Sequence, residues 1–116
     1  MKRSALLLGI AMLGSATQAL AIDTVDIRNS TDTKLRFKMR CADPQGEWKV
    51  FSVEAHQTDQ ITAKHCEKFG FEMSTNKNDG SKVTVRYQLL PNSWYRLVYN
   101  RDKDRWDVKK VKKTDF

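Results

Sequence analysis

The segment Lys34-Leu35-Arg36-Phe37-Lys38-Met39-Arg40-Cys41 alternates basic and apolar residues without interruption. Successive side chains of a β-strand point to opposite faces of the sheet, so the four apolar residues share one face and the four basic residues share the other. The pattern therefore predicts a strand with one face in the core and one cationic face in solvent. Cys41 ends the apolar series, and Cys66 is the other cysteine of the chain.

The first 21 residues have the composition of a secretory signal peptide. Lys2 and Arg3 form a basic start, residues 5–13 form an apolar run, and Ala19-Leu20-Ala21 provides the small residues of a cleavage site. The apolar run is shorter than the ~20 residues that a membrane span needs, so cleavage is favoured over a membrane anchor. We therefore expect removal of residues 1–21, no membrane span in the mature chain, and a periplasmic or secreted location.

The expected export decides how the two cysteines are interpreted. An oxidising compartment favours a disulfide between Cys41 and Cys66. Closing a loop of that length would stabilise the fold by about 3.5 kcal/mol in the chain-entropy model. The alternative is a metal site that also uses His56 and His65, but the paired spacings typical of such sites are missing. We therefore expect one disulfide, no metal and no cofactor.

Seven further segments have strand character and follow one another at spacings of about ten residues. They are 24–28, 48–53, 60–64, 69–74, 82–89, 94–99 and 105–109. The pattern of 48–53 suits a strand buried on parts of both faces, that of 60–64 suits a weak or edge strand, and 69–89 predicts a hairpin around Asp79-Gly80. A helix within 55–68 is the less favoured alternative, because that segment lacks an apolar stripe.

The number of strands predicts the fold class. Seven or eight short strands without a helical period indicate an all-β protein, a small antiparallel sandwich or barrel. The 95 residues after the signal peptide are enough for a single domain, 22–116, which ends in a basic tail. The turn Asn29-Ser30-Thr31 is also a glycosylation sequon, although a plain polar turn is the favoured interpretation.

Positive charge is concentrated near the C-terminus. The chain has 21 basic and 14 acidic residues, and without residues 1–21 it keeps 19 and 14, a net charge of +5. Residues 96–116 hold eight of the basic and four of the acidic residues. A patch of this kind promotes encounters with polyanions, while the alternative is a solvated face that keeps the protein soluble.

Aromatic residues are interleaved with this basic region. The aromatic set is Trp94, Tyr95, Tyr99 and Trp106, and the arginines between them are Arg96, Arg101 and Arg105. A Trp beside a guanidinium stacks on bases, sugars or protein side chains, but core packing is the favoured role for at least two of the four aromatics. Trp48 has the same ambiguity. The pattern leaves open which face of 94–99 is buried. The candidate partner-binding residues are Trp94, Arg96, Arg101, Arg105, Trp106, Lys109, Lys110, Lys112 and Lys113.

The sequence offers little support for catalysis. It contains no nucleophile elbow, zinc-protease motif, C-x-x-C motif or phosphate-binding glycine loop. His56 and His65 are interpreted as surface residues. The carboxylates Asp102, Asp104 and Asp107 could hold a weak cation, but neighbouring bases are expected to pair with them, and the glycine of a calcium loop is missing. We therefore expect a protein that is not an enzyme.

The leading hypothesis is a small exported, non-enzymatic binding protein that recognises a macromolecular partner through a sheet face or the last hairpin. Inhibitors, immunity-type proteins and accessory envelope proteins belong to this class. The expected partner is a protein or an anionic envelope polymer, and a nucleic acid is less favoured. One alternative is a polyanion or membrane-surface binder that uses the basic C-terminal hairpin and tail. Another is a small secreted enzyme without a recognisable motif. The sequence does not indicate an oligomeric state.

Overall fold

The computed structural model describes residues 22–116, and the predicted signal peptide lies outside the described residues. Eight β-strands follow one another and a short 3-10 helix comes after the last of them. The strands are β1 (Ile22–Asn29), β2 (Leu35–Asp43), β3 (Lys49–Val53), β4 (Thr58–Lys64), β5 (Lys68–Asn76), β6 (Lys82–Leu89), β7 (Ser93–Asn100) and β8 (Arg105–Val111), and the 3-10 helix is Lys113–Asp115. The all-β prediction is confirmed. No helix within the described range is long and apolar enough to cross a membrane.

The strands form a sandwich of two four-stranded sheets. Sheet A has the order β4-β1-β7-β8, and sheet B has the order β3-β2-β5-β6. Neighbouring strands run antiparallel except β1 and β7, which are parallel. A parallel pair needs a long crossover connection, and here the connection includes the whole of sheet B. The local sequence patterns did not indicate this pair.

The alternating segment forms β2 and provides the centre of the core. Leu35, Phe37 and Met39 are buried, as predicted, while the basic residues between them remain accessible. The Phe37 ring stacks on Phe51 and Phe71, with centroid distances of 5.9 and 5.2 Å. Because period-two burial holds along β2, its basic residues are presented together on the outward face of sheet B.

Strand β3 differs from its prediction. It is an edge strand, and Val50 is 64% exposed although it is apolar. The pairing places Val50 beside Lys38 on the outward face, so only Phe51 and Val53 pack inwards. The prediction of burial on both faces was wrong because an apolar side chain does not reveal whether its strand has a sheet packed over that face.

Two other local predictions are confirmed. Residues 58–64 form an edge strand of sheet A, and the segment 55–68 contains no helix. Strands β5 and β6 form the predicted hairpin, and Gly80 in its turn has a φ of +87°, which glycine adopts without strain.

The predicted disulfide joins Cys41 to Cys66, with a Cα–Cα distance of 5.6 Å. Cys66 is buried at the point where the chain passes from β4 in sheet A to β5 in sheet B. Its main-chain N–H also donates a hydrogen bond of 2.8 Å to the Asp23 carboxylate on β1. The disulfide therefore fixes the crossover between the two sheets. The bonded sulfurs are not available for the alternative metal site, and residues 22–116 contain no group of three potential metal ligands.

Asn29 forms a buried polar connection between the sheets. Its side-chain NH₂ donates to the carbonyl oxygens of Thr33 and Val53, at 2.8 and 2.9 Å. Its side-chain oxygen accepts from the N–H and the hydroxyl of Thr31, at 3.0 and 2.6 Å. Asn29 ends β1 in sheet A, whereas Val53 ends β3 in sheet B. Because both amide hydrogens are used in the interior, the structure supports the polar-turn interpretation of the sequon.

We expect Asn29→Ala to lower the free energy of unfolding by at least about 2 kcal/mol, because several buried polar groups lose their partners. Ser30→Ala is a matched neighbouring control, since the Ser30 hydroxyl is buried without a hydrogen-bond partner in the described chain. Its removal should change stability by less than about 0.5 kcal/mol or increase it. Urea unfolding of both variants is the measurement, and equal stabilities would contradict the role given to Asn29.

Candidate functional site

The outward face of sheet B carries an ordered set of polar and basic side chains. One row crosses its four strands and contains Val50, Lys38, Glu72 and Arg86. Arg36 and Arg40 lie on either side of Lys38 along β2 and share its outward direction. The name sheet B surface is used below for Arg36, Lys38, Arg40, Trp48, Val50, Gly70, Glu72 and Arg86.

Glu72 is the acidic centre of the sheet B surface. Lys38 Nζ lies 3.1 Å and Arg86 Nε 2.7 Å from its carboxylate oxygens. The hydrogen bond from Lys38, and to a smaller extent that from Arg86, holds the pKa of Glu72 below its ordinary value. Arg36 and Arg40 form no ion pair with a carboxylate of the described chain. The surface therefore keeps an excess of positive charge.

Trp48 lies against this charged surface. Trp48 is 39% exposed and directly precedes β3. The guanidinium carbon of Arg40 is 4.5 Å from the ring centroid, and Lys38 Nζ is 5.8 Å from it. Both distances are within the range of cation–π attraction. The ring and the two cations are therefore held together as one unit.

Gly70 provides the space for the Trp48 ring. A Cβ atom at this position would lie 3.3 Å from Cη2 of Trp48 and 3.6 Å from Cγ of Arg40. Glycine inside a strand costs roughly 0.5–1 kcal/mol relative to alanine, and it often marks a close approach of another group. Here that group is the Trp48 ring. The sequence left open whether Trp48 packs in the core or lies on the surface. The single glycine within the alternating strand 69–74 was the signal that could have indicated where its ring packs.

The C-terminal candidates lie mainly on sheet A. On β7, Tyr95 and Leu97 are buried, so Trp94 and Arg96 face outwards. This settles which face of 94–99 is in the core. Lys109 lies opposite Arg96 on β8. The first part of the predicted tail, Lys109–Val111, therefore belongs to the sheet.

The end of the described chain folds over the same face. Lys113 Nζ is 5.7 Å from the Trp94 ring centroid. Arg96 Nη2 donates a hydrogen bond of 3.4 Å to the main-chain oxygen of Phe116. Trp94, Arg96, Lys109 and Lys113 are thus brought together by the structure.

The remaining C-terminal candidates do not join this group. The Trp106 ring packs edge-on against Tyr99, with 4.9 Å between the ring centroids. It lies on the inward side of sheet A, where it contacts the core. Arg105 forms an ion pair with Asp107 at 3.7 Å, and Arg101 lies exposed in the β7–β8 turn. Lys110 lies opposite Tyr95 and Lys112 follows β8. Core contacts of Tyr95 and Trp106 agree with the packing role expected for two of the four aromatics.

The acidic residues near the last turn make contacts across the sandwich. Asp107 is buried and accepts hydrogen bonds from the Tyr87 hydroxyl at 2.7 Å and the Val108 N–H at 2.9 Å. The hydrogen bond to Asp107 raises the pKa of Tyr87. Asp104 accepts from the Tyr99 hydroxyl and from Asn78. These carboxylates therefore join sheet A to residues of sheet B.

Two cavities open on the described surface away from both histidines. The larger, about 360 Å³, lies between the edge strands β3 and β4 over an apolar floor that includes Phe51 and Ile61. The second, about 230 Å³, lies on the sheet B surface beside Arg36 and Val50. The exposed His56 ring is 2.7 Å from the Asp32 carboxylate. The hypothesis of an enzyme with a histidine base would need a cleft beside His56 or His65, and neither residue lines these two cavities.

Comparison with known proteins gives a structural likeness. No protein-family model matches the chain, and no curated protein matches it significantly in sequence. The NMR structure of a protein from Eubacterium rectale is similar in fold, with a TM-score of 0.55 and 13% sequence identity. The match covers 81% of this chain and 92% of that chain. At this identity the likeness shows a shared fold alone.

The lowered pKa of Glu72 gives a testable pH dependence. A carboxylate with a lowered folded-state pKa stabilises the protein fully above its ordinary pKa of 4.5, and this contribution is lost as the pH falls through the folded-state value. We therefore expect the stability difference between wild type and Glu72→Gln to be constant near neutral pH and to shrink below pH 4.5. Urea unfolding across this range measures it. Glu47→Gln is the control, since Glu47 forms no ion pair in the described chain. A difference that stays constant at all pH values would contradict the role of Glu72.

Proposed function

We propose that this protein is a small exported, non-enzymatic binding protein that recognises an acidic protein partner through the sheet B surface. The observation that carries the proposal is the Trp48 ring, which lies against Arg40 in the space left by Gly70. Inhibitors, immunity-type proteins and accessory envelope proteins are the classes in which such a surface would act. The disulfide is consistent with the oxidising compartment that export implies.

The composition of the surface supports protein recognition. Trp and Arg are enriched among the interface residues that contribute most to binding energy. Trp48 and Arg40 already contact each other in the free protein, so less side-chain freedom is lost when a partner binds. Val50 adds an exposed apolar side chain to the same surface. A partner with a small apolar patch would bury this side chain and the exposed part of the Trp48 ring.

The charges support an acidic partner. Four bases, Arg36, Lys38, Arg40 and Arg86, surround one acid, Glu72, on the outward face of sheet B. Complementary charge on a partner would accelerate association and would make the rate sensitive to salt. The apolar and aromatic contacts would persist at high salt. We therefore expect a complex whose formation slows with salt while part of its affinity remains.

The test compares variants in their capture of partners. The protein, expressed from its complete sequence and immobilised, is incubated with extract of the exported fraction of its source cells at low and at high salt. We expect an acidic protein to be retained by wild type and lost with Trp48→Ala, with binding weakened about 30-fold, as for a residue worth about 2 kcal/mol. Gly70→Val should weaken binding too, because the added side chain displaces the Trp48 ring.

Leu90→Ala is the control, since Leu90 is an exposed apolar residue in the turn after β6, outside the sheet B surface. Urea unfolding shows whether each variant is folded, and tryptophan fluorescence reports displacement of the ring in Gly70→Val. A partner that is retained equally by wild type, Trp48→Ala and Gly70→Val would overturn the assignment of this surface.

A further inference from the structure

Three basic residues lie abreast on the outward face of sheet A. Arg28 on β1 is opposite Arg96 on β7, and Arg96 is opposite Lys109 on β8. These three residues are called the cationic row. Because neighbouring strands are about 4.8 Å apart, the row extends for roughly 10 Å across three strands. The chain therefore places three like charges side by side.

The cationic row lacks internal neutralisation. Like charges directly opposite each other on a sheet are destabilising. None of the three residues forms an ion pair with a side-chain carboxylate of residues 22–116. Arg28 has one long hydrogen bond, 3.4 Å to the Thr58 hydroxyl, and Arg96 has the 3.4 Å contact with Phe116. Arg96 Nε is buried without a hydrogen-bond partner in the described chain, and beyond the two long contacts no hydrogen bond from the terminal guanidinium N–H groups is found there.

The acids nearest to the row in the sheet are engaged by other groups. Asp26, one row away beside Trp94, accepts a hydrogen bond of 3.0 Å from Gln60. Asp107, on the other side of Lys109 along β8, accepts from the Tyr87 hydroxyl. Asp115 lies outside the sheet, in the 3-10 helix, and it forms no ion pair with the row in the described chain. Lys113 adds a further positive charge over Trp94.

We propose that the cationic row binds a soluble anion that carries several phosphoryl groups in a line. The guanidinium of arginine presents a planar fork of N–H donors that matches the oxygens of a phosphate group. Three cations along roughly 10 Å of a sheet face suit an extended anion better than a single ion. This site is on the sheet opposite to the proposed protein-binding surface, so the two proposals stand independently.

A soluble anion fits this face better than a membrane. Peripheral helices and other membrane-surface elements insert exposed apolar side chains into the lipid interface. The exposed large apolar side chains of the described chain are Ile22, Trp48, Val50, Tyr87, Leu90 and Tyr99. Ile22 alone shares the outward direction of Arg28 on β1, and it lies at the far end of that strand. Trp94 lies beside the row on the same face, but it is not among these exposed side chains and Lys113 lies over its ring, so the row has little of the apolar surroundings that insertion requires.

The first test measures the affinity for inorganic tripolyphosphate at low salt by isothermal titration calorimetry. We expect Arg28→Gln and Lys109→Gln each to weaken binding at least about tenfold, as expected for the loss of a charge-assisted contact. Lys103→Gln removes the same charge from the exposed β7–β8 turn and should leave the affinity within about twofold of wild type. Arg96→Gln is a further variant, but Arg96 is partly buried and its loss could unfold the protein. Lys109 is exposed, so Lys109→Gln tests the row even in that case.

The second test measures the melting temperature. If the row merely stabilised the fold, removing one of its charges would lower the melting temperature. Without an added anion, Lys109→Gln should raise the melting temperature, because it relieves repulsion from Arg96. Tripolyphosphate should then raise the melting temperature of wild type more than that of Lys109→Gln, because only wild type has the complete row. Lys103→Gln should show the wild-type response to the anion.

Failure of wild type to bind tripolyphosphate would overturn the proposal, as would equal effects of Lys109→Gln and Lys103→Gln. Vesicles of phosphatidylglycerol and of phosphatidylcholine test the membrane as an occupant. Binding to phosphatidylglycerol vesicles without binding to tripolyphosphate would overturn the assignment to a soluble anion. Loss of tripolyphosphate binding in the row variants, with partner capture by the sheet B surface unchanged, would support this site irrespective of the proposed function.

Discussion

The fold depends on the packing of two inner sheet faces that have no strand in common. Backbone ladders hold each sheet together, but the contact between the sheets comes from alternate apolar side chains such as Phe37 on sheet B and Leu97 on sheet A. Two further links reinforce this contact. Asn29 donates from β1 to the last carbonyl of β3, and the Cys41–Cys66 disulfide fixes a crossover between the sheets. Burial of one face of every strand is therefore the constraint that the remaining structure obeys.

That constraint determines where the functional candidates lie. Because the inner positions must be apolar, charge and exposed aromatic groups are placed on the outward faces, over which a two-layer sandwich packs no third sheet. On sheet B these groups form an aromatic and cationic surface around Trp48, partly balanced by Glu72. On sheet A they form a row of three bases. The two faces differ in chemistry, since sheet B adds the exposed Trp48 and Val50 to its charges, whereas on sheet A the aromatic Trp94 is partly buried and has Lys113 over its ring. A rigid scaffold presents both.

Local patterns predicted the elements better than the site. The alternation in 34–41 and the hairpin around Gly80 follow from chemistry within short segments, and the disulfide follows from the presence of two cysteines in a chain expected to be exported. The structure confirms all three. The exposure of Val50 was not predicted, because an apolar residue looks the same on an edge strand and in a covered one. The nine C-terminal candidates were grouped by closeness in sequence. The sheet divides them, because successive residues point to opposite faces and the turn separates the ends of the hairpin.

The sequence by itself determined which segments are strands, which side of β2 is buried and which cysteines pair, since these depend on a period of two and on the presence of two thiols. Only the tertiary structure decided which side chains become neighbours across strands. Trp48 lies over Gly70, and Arg28 lies beside Arg96, although both pairs are far apart in the chain. Such neighbours are set by strand order and register, which result from the packing of the whole sandwich. The parallel pairing of β1 with β7, which places Arg28 in the cationic row, is the clearest case.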